Sequence, residues 1–152
     1  MLDVQKSYDM IQKLKIKDID SIERHQVHGT FYIPRFNSRP LNGRYDGFRS
    51  SGRIQTIEND SLRNHILKLY QEDMPFIDFS ENVFNSNQTR LEELMFNNAS
   101  FKESAVLKLL VTAKGQLILT FAIGYSKQVV SGYDKVITQA KVIQQEIDKE
   151  YR

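Results

Sequence analysis

The sequence predicts an all-α fold, an antiparallel helical bundle with a long C-terminal helix and one irregular basic and aromatic loop. Three observations carry this. Apolar residues recur in steps of three and four through the last third of the chain, at Val106, Leu110, Ala113, Leu117, Phe121, Tyr125, Val129, Val136, Ala140, Ile143 and Ile147. That spacing sets them on one stripe of a helix surface. Shorter stretches upstream repeat the period and are punctuated by capping residues. A helix running over 100–151, wet along one face, needs other helices to cover its stripe.

At 152 residues the chain fits a single domain with one core. It reads as N-terminal helices over 1–28, a loop over 29–43, middle helices over 44–99 and the long helix over 100–151. No apolar run reaches the roughly 18 residues that a membrane span needs. The best candidate, Val106 to Tyr125, is interrupted by Lys108, Lys114, Gln116 and two glycines. Met1 to Lys13 carries Asp3 and Asp9 and no continuous apolar block, unlike a secretory signal. The chain as given is therefore expected to be soluble. It has no cysteine, which excludes disulfides, thiol catalysis and cysteine-based zinc sites. A net charge of +2 argues against a surface devoted to nucleic acid. The sequons at Asn59, Asn87 and Asn98 are too short a pattern to carry weight.

Taken in order, Val4, Tyr8, Ile11 and Leu14 give an amphipathic first helix. Asp18 or Ser21 can cap a second short helix around Ile19 to Val27. From Gly29 to Gly43 the period disappears, and Pro34, Pro40 and the Leu41-Asn42-Gly43 turn indicate a surface loop. A short helix over Tyr45 to Ser51 is expected to end with Gly52 in the left-handed conformation. Asn59 caps the next helix, with Asp60 favourable to its dipole and Leu62, Ile66, Leu69 and Tyr70 as its stripe. Pro75 ends or kinks that helix, because it lacks an amide proton and its ring crowds the preceding turn. Phe76, Ile77, Phe79, Val83 and Phe84 are expected to continue it as a bent helix. Thr89 with Glu92 is a capping box that opens a further short helix, closed by Asn97 and Asn98. Ser100 with Glu103 opens the last one in the same way. Gly115, Gly124 and Gly132 each cost that helix about 1 kcal/mol relative to alanine. They point to close approach of neighbouring backbone, or else to a break near Gly132.

The run from Tyr45 to Tyr70 reads Tyr-x-x-Phe-x-Ser-Ser-Gly-x-Ile-x-x-Ile-x-Asn-Asp-x-Leu-Arg-Asn-x-Ile-x-x-Leu-Tyr. It resembles a family of uncharacterised proteins from Bacteroidetes-type bacteria, in which one N-terminal transmembrane helix precedes a helical domain with a similar segment. The matching positions are Tyr45, Phe48, Ser50, Ser51, Gly52, Ile54, Ile57, Asn59, Leu62, Arg63 and Tyr70. The long closing helix with its charged tail is similar too, though less specific. This chain departs from the family in having no membrane span. The resemblance implies membrane attachment with the domain on the extracytoplasmic (periplasmic) side of the inner membrane, and it implies no known reaction. The residues alone explain the same segment: Ser51-Gly52 stops one helix, Ile54 and Ile57 pack the link, and Asn59 starts the next.

The most unusual local chemistry lies between Arg24 and Arg53, where six arginines face one acid, Asp46, with Phe31, Tyr32, Phe36, Tyr45 and Phe48 interleaved. Arginine forks beside aromatic faces can clamp phosphates and stack on bases. They also suit an acidic protein or anionic lipid. The binding candidates are Arg35, Arg39, Arg44, Arg49, Tyr32 and Phe36; the plainer reading fills the core with the aromatics and leaves the arginines solvated or paired with acids elsewhere. His25 and His28 sit three apart beside Glu23, but no third ligand or His-Glu-x-x-His signature completes a metal site. His65, beside Asn64, is expected to be exposed. No phosphate loop, dinucleotide fingerprint or Gly-x-Ser-x-Gly elbow is present, and Ser50-Ser51-Gly52 follows no strand. The carboxylate pairs Glu72-Asp73 and Glu92-Glu93 are adjacent and so diverge around a helix.

The sequence thus yields no catalytic residue, metal ligand set or cofactor. The expected function is that of a non-enzymatic interaction or scaffold domain, the soluble part of a membrane-tethered bacterial protein. Its partner would be a protein, or a second copy joined through the charged tail around Lys141 to Arg152. The alternatives are a polyanion or nucleic-acid module using 24–53, and a small metal-dependent hydrolase using His25 and His28.

Overall fold

The computed structural model describes residues 2–13, 18–19, 33–37, 43–98 and 103–151. The fold is all-α, with no strand among the described residues. The helices are α1 (Leu2–Lys13), α2 (Gly43–Ser50), α3 (Asp60–Lys68), α4 (Met74–Asn98), α5 (Glu103–Leu110) and α6 (Ala113–Tyr151). A 3-10 turn, Arg53–Thr56, precedes α3, and a π-helical turn, Leu69–Asp73, joins α3 to α4 without interruption. The helix expected around Ile19 to Val27 lies almost wholly outside the described residues, as does most of the 29–43 loop. Its described part, 33–37, has no regular structure.

Local chemistry accounts for the boundaries. Gly52 adopts φ 72°, the left-handed conformation expected beyond the end of α2. The Asn59 side chain accepts a hydrogen bond from the Leu62 amide at 3.1 Å, which satisfies one orphan donor of α3. Pro75 neither ends the helical run nor leaves it regular. The turn before it widens instead, and the Met74 amide donates to the Leu69 carbonyl, five residues back. In a regular helix a proline ring clashes with the carbonyl four residues back, and a wider turn is one way to relieve that clash.

Two expectations are corrected. Thr89 and Glu92 form no capping box, because α4 runs unbroken through them. The Thr89 hydroxyl donates to the Asn85 carbonyl one turn back, at 3.2 Å, and Glu92 is held by Arg35. The final helix, in turn, is two helices, broken at 111–112. Thr112 supplies the start signal there, its hydroxyl oxygen accepting from the Gly115 amide at 3.2 Å while donating to the Leu109 carbonyl at 2.6 Å. A Cβ on Gly115 would lie 2.3 Å from the Leu109 oxygen and 2.7 Å from the Leu110 Cα, so only glycine admits this corner. Gly132 also has a packing reason, since a Cβ there would lie 2.8 Å from the Ile77 side chain, whereas Gly124 meets nothing within 4 Å. No break occurs near Gly132. The proposed Ser100 start falls outside the described residues.

The chain groups into two compact units, Met1–Phe36 with Glu81–Lys127, and Asn37–Ser80 with Gln128–Arg152. The first has a core of Phe84, Leu91 and Leu94 from α4, Leu110 from α5, and Ile118, Leu119, Ala122 and Ile123 from α6. Ile11, Ile33 and Phe36 pack against it. The second buries Tyr45, Ile54, Leu62, Leu69, Ile77 and Val129. Within this unit α6 runs antiparallel to the 59–77 stretch. Asn59 meets Glu150, Ser61 and His65 meet Glu146, Asp73 lies near Lys135, and Ile77 packs at Gly132.

Candidate functional site

The six candidate binding residues do not form one cluster. Tyr32 and Arg39 lie outside the described residues. Arg35 and Phe36 belong to the first unit, where they clasp the 33–37 segment to α4. The Arg35 guanidinium donates to the Glu92 carboxylate at 2.5 Å, to the Thr89 hydroxyl at 3.2 Å and to the Asn85 carbonyl at 3.4 Å. The Asn85 amide grips the Phe36 backbone at both ends, accepting from its N–H at 2.9 Å and donating to its carbonyl at 2.8 Å. The Phe36 ring meets Phe84 edge-on, with centroids 4.8 Å apart. These two residues therefore hold the segment to α4.

Arg44 and Arg49 sit exposed on α2, in the second unit. Here the residues build an open cleft of about 360 Å³. Arg44, Tyr45 and Phe48 of α2 form one wall, and Ile66, Leu69 and Tyr70 of the α3 and π-helical run form another. Ala140 and Ile143 of α6 complete it. Tyr45 stacks face to face on Tyr70, with centroids 4.3 Å apart and planes 5° from parallel. The Gln71 amide donates to the Tyr45 hydroxyl at 3.0 Å, so the buried ring keeps its polar end satisfied. The π-helical turn matters to this site because Leu69, Tyr70 and Gln71 all lie within it. Widening a helix by one residue rotates everything that follows relative to what precedes. Neither the turn nor the stack was foreseen from sequence, although Pro75 marked the place.

The segment from Tyr45 to Tyr70 is largely accounted for by this fold. Ser50 and Ser51 donate back to the Gly47 and Phe48 carbonyls, at 3.2 and 2.9 Å. Ile54 and Leu62 are buried, and Arg63 donates to the Ile57 carbonyl at 3.1 Å while pairing with Asp60. Phe48, Ile66 and Tyr70, half-buried in the cleft walls, stay within reach of a ligand.

A polar cluster in the same unit went unnoticed in the sequence. His65 is half-buried and not exposed, its Nδ1 lying 2.8 Å from the Glu146 carboxylate, whose other oxygen accepts from the Ser61 hydroxyl at 2.8 Å. The His65 hydrogen bond, above all, holds the Glu146 carboxyl below its usual value of 4.5; desolvation opposes it, and the Ser61 hydrogen bond and the His65 charge add smaller lowering effects. Ser61 is bonded to the carboxylate and not to the imidazole, so this is no nucleophile and base pair. It fastens α3 to α6. Among the described residues no group of three or more His, Asp or Glu is placed to hold a metal ion, and His25 and His28 lie outside them. In the first unit a hollow of about 390 Å³ combines Arg90, Glu93 and Lys114 with Leu117 and Phe121, and none of the candidate residues reaches it. Among the described residues no helix is long and apolar enough to cross a membrane.

Set against known protein families, curated proteins and solved structures, the chain matches none of them. The resemblance over Tyr45–Tyr70 therefore rests on the residues quoted for it.

Proposed function

We propose that this chain is a non-enzymatic interaction domain, whose docking site is the cleft of the second unit. The observation that carries the reading is the composition of the cleft. It offers half-buried apolar and aromatic surface from Phe48, Ile66, Tyr70 and Ile143, with exposed Arg44 as its cation and no acid among its lining residues. Apolar walls with a cationic edge suit a protein segment that presents an apolar side chain flanked by Asp or Glu. A polyanion reading is less well supported, because, of the described arginines of the set, Arg35 pairs with Glu92 and Arg44 alone lines the cleft. The resemblance over Tyr45–Tyr70 supports a further element of the proposal, that the domain acts while tethered to a bacterial inner membrane on its extracytoplasmic side.

The test is an unbiased peptide-display selection on the whole chain, followed by titration of the enriched peptides. Acidic peptides with an apolar centre should be enriched and should lose at least roughly tenfold in affinity on Arg44→Glu or Phe48→Ala. Enrichment of no peptide class, or equal binding by both variants, would refute the assignment.

A further inference from the structure

The second half of α6 presents two stripes. One, through Gly132, Gln139, Glu146 and Glu150, meets Ile77, His65, Ser61 and Asn59 of its own unit. The other lies roughly 100° around the helix and runs through Ile137, Ala140, Gln144, Ile147 and Tyr151, in alternating steps of three and four. All five are exposed, and Ile137, Ile147 and Tyr151 keep 51%, 41% and 67% of their surface open to solvent. That spacing is the seam of a two-stranded coiled coil. Along its outer edge stand Asp134 and Lys141, both exposed, opposite in sign and seven residues apart.

From the seam and its edge charges we infer that this stripe pairs with the same stripe of a second copy, antiparallel, about a twofold axis between Ile137 and Ala140. In that arrangement Ile137 of one chain faces Ala140 of the other, and the small alanine lets the helices approach. Asp134 of each copy then lies against Lys141 of the other, so the twofold axis makes two ion pairs from one pair of residues. A parallel copy gains neither, because Val129 and Val136, the residues it would bring to Asp134 and Lys141, are apolar. The seam covers about four helical turns, so the dimer is reversible and its share rises with concentration. The inference rests on the reading of the chain as an interaction domain but not on the cleft, which adjoins the stripe at Ala140.

Sedimentation equilibrium of the whole chain from micromolar to millimolar concentration, at low salt, tests it. The wild-type protein should show a reversible monomer–dimer equilibrium. Lys141→Glu, which sets Glu against Asp134 twice, should raise the dissociation constant about fivefold. The double exchange Asp134→Lys with Lys141→Glu should return it to within about twofold of wild type, and Ile137→Glu should leave a monomer. A monomeric wild type at every concentration, an unchanged constant for Lys141→Glu, or no recovery in the double exchange would overturn the proposal. None of these substitutions touches Arg44 or Phe48, so failure of the dimer and failure of the cleft are separate results.

Discussion

Gly115 and Gly124 lie nine residues apart in one helix, and their surroundings give them opposite predicted responses to the same substitution. Gly115→Ala drives a methyl group into the Leu109 and Leu110 backbone, which has no rotamer with which to yield. It should cost about 1–3 kcal/mol. Gly124→Ala meets nothing within 4 Å on an exposed helical face and should stabilise by up to about 1 kcal/mol. Urea unfolding followed by circular dichroism compares the two. Glu146 makes a second prediction at this scale. Its carboxyl is held below 4.5 in the folded chain, so the folded state binds its proton less readily than the unfolded state does. The resulting stability is fully present above the unfolded value and is lost as pH falls through the folded one. The melting temperatures of the wild type and Glu146→Gln should therefore differ above about pH 4.5 and converge below it. Parallel curves down to pH 3 would show that the His65–Glu146 contact does not contribute in this way. Sequence spacing could not have found this cluster, because His65 and Glu146 lie 81 positions apart and meet only through tertiary packing.

At the scale of elements, what was legible in the sequence is what local chemistry decides. Gly52 ends α2 through its own backbone freedom, and Asn59 opens α3 through its own side chain, so both could be read in place. Thr89–Glu92 failed because the residues of a capping box are also ordinary helix-interior residues when a neighbour occupies them. Arg35 takes the Glu92 carboxylate, and no start signal remains. The break at 111–112 was hidden by an apolar period that runs on through it, from Leu110 to Leu117, although Thr112 followed by Gly115 was a visible cue. Thr112→Ala should cost about 1 kcal/mol, the usual value of a side-chain cap, and should increase amide exchange at Gly115 before the rest of α6. Exchange and stability equal to those of the wild type would mean that the Gly115 packing alone sets the corner. The π-helical turn was signalled by Pro75 only as a disturbance. Whether a proline kinks, ends or widens a helix depends on what the altered turn then packs against, here Tyr45.

At the scale of the whole molecule, the all-α class followed from periodicity, because a stripe of apolar side chains constrains the fold whichever residue fills each position. The candidate site was legible only in part. Composition drew attention to arginines and aromatics over 24–53, but composition cannot separate Arg35, whose charge Glu92 answers, from Arg44, which edges an open cleft. The other walls come from residues 66–70 and 140–143, remote in sequence. Interaction through that cleft can be read by amide hydrogen exchange of the whole chain, with and without an enriched acidic peptide. Protection should concentrate at residues 44–48, 66–70 and 140–143 and should be lost in Arg44→Glu. Protection centred on the hollow near Leu117 and Phe121, or protection that survives Arg44→Glu, would contradict interaction through the cleft.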